Sequence, residues 1–153
     1  MAKDKSIVIR SGPSSRFVTD VQELRRRARA HMAAGIHASA VADEFLEHAT
    51  AEQRHVDQIA ERITQLGGEP DLNPANLAGR SHSEYVEGKG LIEMIREDLV
   101  AERIVIESYS EMVRFLGNDD PSTRRLLEEI LAEEEDHAND LRTLLESLGK
   151  DER

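Results

Sequence analysis

Two glutamates in this sequence are each followed three residues later by a histidine, in Glu52-Gln53-Arg54-His55 and in Glu134-Glu135-Asp136-His137. Helical positions three apart lie on one face, so each pair can offer a carboxylate oxygen and an imidazole nitrogen to one point. Oxygen donors with one imidazole per ion and no sulfur suit iron or manganese better than copper. A lone Glu-x-x-His in an acidic helical chain is ordinarily a solvated helix face. Phase with the neighbouring apolar residues decides whether these two are different.

A packing helix buries residues spaced three or four apart. In the C-terminal segment the apolar series is Leu126, Ile130, Leu141, Leu144 and Leu148, and Glu134 and His137 stand where its missing members belong. Upstream, Val41, Phe45, Ile59, Ile63 and Leu66 form a second series, with His48, Glu52 and His55 filling its gap. A third runs Ile92, Ile95, Leu99, Ile106, Tyr109, Val113, Leu116, and its missing member is Glu102. Each interruption falls near mid-helix, so Glu52, His55, Glu102, Glu134 and His137 are expected to converge in one buried layer. Unpaired carboxylates in a core cost several kcal/mol each, so such a layer requires neutralisation by shared protons or by cations. Metal ions are the economical answer. His48, one step along the same stripe, reads as a satisfied core or interface histidine.

Those stripes imply four helices. The first is expected over about 20–33, with Thr19 as N-cap and Gln22 completing a capping box. The second is expected over about 40–66, stopped by Gly67-Gly68 with Pro70 beyond, and the third over about 91–116, ending at Gly117-Asn118. The fourth is expected from Asp120, with Pro121 at its first position, to Leu148 before Gly149. The short link at 117–120 makes the last two antiparallel neighbours. The connection over 67–90 could reach nearly 80 Å at ~3.3 Å per residue, against about 40 Å for the helix before it, so it can run back along the bundle. Ser81 with Glu84 suggests a helical turn within it. The expected fold is an all-α helical bundle, and the long connection between helices two and three permits the one-long-crossover topology of ferritin-like bundles as opposed to a simple up-down-up-down bundle. The domain is expected over 19–149, after a flexible segment at 1–18 and before a short tail at 150–153.

Composition narrows the partners. The chain of 153 residues carries 20 basic and 31 acidic residues, net -11, which disfavours nucleic acid and attracts cations. With no cysteine there are no disulfides, thiolate metal sites or cysteine nucleophiles. No apolar run approaches the roughly 18 residues of a membrane span, and the N-terminal apolar run is too short for a secretory signal. A cytoplasmic protein is expected. Arg25, Arg26, Arg27 and Arg29 form a basic run that reads as a solvated face or a subunit contact. Paired carboxylates for glycoside hydrolysis would not need the matched histidines.

The stretches "GIHASAVADEFLEHATAEQRHVDQIAERITQLGGEPDLNP", "EDLVAERIVIESY" and "LLEEILAEEEDHANDL" resemble a bacterioferritin-related, ferritin-like family over roughly 35–148. The resemblance implies oxidation of ferrous iron by oxygen or peroxide at a two-iron site, for storage or detoxification, in a homo-oligomer. It matches Glu52 and His55 to the second-helix ligands, Glu102 to the third-helix bridge, and Glu134 and His137 to the fourth-helix pair. A first-helix glutamate is also implied, near position 19, where this chain has Thr19. The sequence "TDVQELRRRARAHM" resembles the family's N-terminal leader and runs straight into "AAGIHASA", as though the first bundle helix were absent. The leader could fill that vacancy, with Asp20 or Glu23 as substitute ligand, packed through Phe17, Val21, Leu24, Ala28 and His31; a neighbouring subunit is the alternative. Gln53 stands where a bacterioferritin would carry its haem-ligating methionine, so no haem is expected. Other readings of the same residues are a non-catalytic assembly protein with an incomplete metal site, and a manganese enzyme consuming peroxide.

Overall fold

The structure, a computed structural model, describes residues 25–31, 33, 38–71 and 89–151. Every regular element among them is helical: α1 over 25–31, α2 over Ala38–Gln65, α3 over Leu91–Leu116 and α4 over Pro121–Asp151. The expected N-cap at Thr19, the start of the first helix and the turn near Ser81 lie outside the described residues.

The helix ends follow from local chemistry. At the end of α2, Gly67 takes φ 74° and donates to the Thr64 carbonyl, while Gly68 donates to the Ile63 carbonyl. This paired closure satisfies carbonyls that the helix leaves free, and the positive φ favours glycine. α3 ends similarly, with Gly117 at φ 53° donating to the Val113 carbonyl at 3.1 Å. α4 opens on Asp120, whose Oδ1 accepts from the Thr123 N–H at 3.0 Å and whose Oδ2 accepts from the Thr123 hydroxyl. Arg62 near the end of α2 donates to the same carboxylate at 3.1 Å and to the Thr123 hydroxyl at 2.8 Å, tying α2 to the start of α4. At the other end Gly149 does not stop α4, which continues to Asp151. A glycine inside a helix costs only about 1 kcal/mol, and no proline follows it.

The core is two apolar clusters with a polar layer between them. One holds Ile59, Ile63, Val105, Tyr109, Leu116, Leu127 and Ile130. The other holds Ala30, Val41, Phe45, Met94, Ile95, Leu141 and Leu148. Ala30 places α1, the described part of the leader, against the bundle, while Phe17, Val21 and Leu24 lie outside the described residues. The inward face of α1 differs from expectation. Ala28 and His31 are exposed, whereas Arg25, Arg26 and Arg29 are buried and Arg27 faces out. The arginine run is therefore mainly interior, not a solvated face. The reason lies across the interface, in the carboxylates that α2 and α3 present to it.

Asp120 caps α4 as a carboxylate. Partial burial works against its ionised form, but the Thr123 hydrogen bonds and Arg62 outweigh it and hold the carboxyl below its usual value. Its stabilisation is therefore complete above the unfolded value of about 3.9 and fades as pH falls through the lower folded one. In urea unfolding Asp120→Ala should lose about 1–2 kcal/mol at neutral pH, and the gap to the wild type should close in strong acid. A gap independent of pH would mean the carboxylate charge is not what caps α4.

Candidate metal centre

Between the two apolar clusters α2 contributes His48, Glu52 and His55, α3 contributes Asp98 and Glu102, and α4 contributes Glu134 and His137. All are buried, Glu52, Asp98, Glu102 and Glu134 completely. The five side chains singled out by their spacing thus come together at one height. His55 Nδ1 lies 3.1 Å from Glu134 Oε1 and 3.8 Å from Glu52 Oε2. His137 Nδ1 lies 3.4 Å from Glu134 Oε2 and 3.9 Å from Glu102 Oε1. The rings of His48 and His137 stack with centroids 4.1 Å apart.

At the heart of this layer is a residue that the spacing argument did not include. Arg26 of α1 is fully buried, and its Nη1 and Nη2 donate to Glu52 Oε1 and Glu102 Oε1 respectively. Its Nε lies 3.4 Å from Asp98 Oδ2, and Arg29 donates to Asp98 Oδ1. The position near Thr19, where the family resemblance implies a first-helix glutamate, lies outside the described residues; what the described α1 brings to the layer is a guanidinium. Asp20 and Glu23, the expected substitutes, lie outside the described residues. Asp98 was legible in part, since it sits four positions before Glu102 on the buried face. Glu133 was not. It approaches His55 Nε2 at 2.9 Å from one position off the stripe and pairs with Arg54.

The charges are mutually adjusted. Burial would lower Arg26, but Glu102, Glu52 and Asp98 more than offset it and raise the guanidinium well above its usual value, so it is a fixed positive charge. Burial raises Glu102 strongly and Glu52 as well, each restrained by Arg26 and pushed further by neighbouring carboxylates. Burial would also raise Glu134, but His137, the His55 hydrogen bond and Arg26 reverse this and hold it ionised, below the usual range. For His55, burial is outweighed by hydrogen bonds to Glu134, Glu52 and Glu133, which raise the ring to about 10. Burial and the charges of His137 and Arg26 push His48 down to about 2, which leaves that ring neutral.

This compensation is incomplete in hydrogen bonds. Seven buried side-chain atoms among the described residues lack a hydrogen-bond partner, and five of them belong to this layer: His48 Nδ1, Glu52 Oε2, Glu102 Oε2, Glu134 Oε2 and His137 Nδ1. All five can be lone-pair donors. Buried acceptors without donors are costly, and a cation would satisfy several of them together. Within the buried layer two three-residue groupings place one donor atom of each member within 4.8 Å of the others, Glu52, His55 and Glu134, and His48, Glu102 and His137; a third grouping, Glu44, His48 and Asp140, shares His48 and is more exposed. The donors therefore fit metal ions, though with Arg26 lying between the two groups. A cleft of about 560 Å³ lined by Glu47, Arg54, Glu133, Asp136 and Asp140 reaches the layer at His137.

Comparison with known proteins agrees with this architecture. The chain belongs to the ferritin-like family, whose domain model matches residues 27–150. It is 33% identical over 109 residues to DNA protection during starvation protein 2 of Bacillus anthracis, covering 67% of this chain and 72% of that protein. It is 32% identical over 99 residues to a bacterioferritin of Desulfovibrio desulfuricans, covering 64% of this chain. The chain spans about half the length of that bacterioferritin, 49%. Among solved structures, the bacterioferritin-related protein from Bacteroides fragilis, described as a dodecameric thioferritin, superposes with a TM-score of 0.90 at 26% identity over 97% of this chain and 90% of that one. The Dps of Thermosynechococcus elongatus shares the fold, with a TM-score of 0.81 at 19% identity over 86% of this chain and 85% of its own. The expected all-α ferritin-like bundle is thus the observed one.

Removing Arg26 tests the charge account. Arg26→Met should destabilise the metal-free protein by about 3–5 kcal/mol, because Glu52 and Glu102 lose their buried counter-ion. Adding a divalent transition metal should recover much of the lost melting temperature. An unchanged metal-free Tm would show that the carboxylates are not held by this guanidinium.

Proposed function

We propose that this chain is an iron-handling protein: it takes ferrous iron into the mid-bundle layer of Glu52, His55, Glu102, Glu134 and His137 and oxidises it, for storage or detoxification. The observation that carries the reading is the convergence of four unpartnered buried donor atoms, on Glu52, Glu102, Glu134 and His137, with His55 on the same helix face as Glu52. The family and its relatives support iron as the metal, and the same donors suit manganese.

Each ferrous ion gives up one electron. Two of them reduce oxygen to hydrogen peroxide with two protons taken up, or reduce hydrogen peroxide to two waters with two protons taken up. The chain's own residues supply what this needs: carboxylates that favour the ferric product, and an acidic cleft that draws cations towards His137. A homo-oligomer is part of the proposal, supported by the dodecameric description of the Bacteroides fragilis relative, as are a single domain over 19–149 and a cytoplasmic setting. No helix among the described residues is long and apolar enough to cross a membrane.

Arg26 favours a second reading. A guanidinium on Glu52 and Glu102 takes one oxygen from each carboxylate, so the layer would bind metal weakly and serve assembly instead of oxidation. An anaerobic ferrous titration followed by oxygen separates the two. Near-ultraviolet absorbance of ferric product should rise quickly in the wild type and at the buffer rate in Glu134→Ala. A wild type no faster than buffer would overturn oxidation and leave the assembly reading.

A further inference from the structure

His48 is the buried group whose position exceeds its part in packing. It is 1% exposed, its Nε2 lies 3.0 Å from Glu44 Oε1, and its Nδ1 has no hydrogen-bond partner. A carboxylate accepting from Nε2 fixes the ring proton there and leaves Nδ1 as a free lone pair. That lone pair lies on the side of Glu102, whose Oε1 is 3.9 Å away, and of His137, whose Nδ1 is likewise unpartnered. Glu102 Oε1 already accepts from Arg26, while Glu102 Oε2 is free and fully buried. His48 Nδ1 and His137 Nδ1 are unpartnered, and Glu102 Oε1, 3.9 Å from each, completes a grouping from α2, α3 and α4 whose donor atoms lie within 4.8 Å of one another.

We propose that His48, Glu102 and His137 form a one-ion site for a divalent transition-metal cation, distinct from the Glu52–His55–Glu134 grouping and oriented by Glu44. The inference rests on the reading that the layer takes cations, and assigns to this chain a two-imidazole site. Arg26 supplies the reason for the division. By holding one oxygen of Glu52 and one of Glu102, it interposes a positive charge between the two groupings, so an ion shared by those carboxylates would meet the guanidinium. Between Glu52 and Glu102 cations are thereby kept to either side, while His137 Nδ1, 3.4 Å from Glu134 Oε2, stays in reach of the other grouping. His48 compensates for the oxygen that Glu102 gives to Arg26, and a neutral imidazole adds a donor without another buried negative charge. The acidic cleft reaches His137, so this site is the one nearer solvent.

Copper(II) is a suitable probe, because it prefers imidazole and reports the number of bound nitrogens by electron paramagnetic resonance. With the full-length protein freed of metal by chelation, the first equivalent should couple to two imidazole nitrogens. His48→Leu should reduce that pattern to one nitrogen while Glu52→Gln preserves it. Glu44→Ala, which leaves every proposed ligand in place, should keep two nitrogens and weaken binding about 10–100-fold, so the test does not depend on His48→Leu folding. A one-nitrogen spectrum in the wild type, or two nitrogens surviving in a folded His48→Leu, would overturn this site and leave the iron reading standing. No buried copper at all would overturn both.

Discussion

Everything in the middle of this bundle depends on one buried guanidinium. Arg26 joins Glu52 of α2 to Glu102 of α3 from a helix, α1, that contributes little apolar surface of its own. Four fully buried carboxylates would be intolerable in an uncharged core, since each would cost several kcal/mol to desolvate. Arg26 and Arg29, with a protonated His55, supply the opposing charge, and this explains why an arginine-rich segment turns inward in a chain with a large acidic excess. The same contacts fix the rotation of α1 about its axis.

The two apolar clusters above and below make this arrangement affordable. They fix the helices through ordinary packing, so the polar layer is held at a set height by residues that take no part in its chemistry. Rigid placement matters because the layer is under-satisfied. Five donor atoms with no hydrogen-bond partner persist only where the surrounding core prevents them from turning towards water. A cation would replace that unmet demand with ligation, so metal affinity and fold stability are linked.

Much of this could be read from the sequence, for physical reasons. α3 begins and ends where its spacing and glycines imply, at Leu91 and Leu116, and the stripes through Phe45, Ile95 and Leu141 are buried. Long amphipathic helices advertise their inward face, so polar residues in phase with that face stand out, as Glu52, His55, Glu102, Glu134 and His137 do. α1 lacks this advantage. Its described part is short, its apolar residues are few, and its inward face is selected by ion pairs to residues as distant as Asp98 and Glu102. Hydrophobic periodicity contains no information about such partners, which is why Ala28 and His31 were expected inside and Arg26 was not. Glu133 escaped for a related reason, since a long side chain one position off the stripe reaches His55 only because α2 and α4 lie close there.

The most direct test of the central claim is the position of Arg26 in a metal-loaded crystal, with the cations located by anomalous scattering from cobalt(II). The account predicts that Arg26 remains bound to Glu52 and Glu102 and that cation density lies to either side of it. Arg26 displaced from the layer, with an ion bridging Glu52 and Glu102 in its place, would contradict the account.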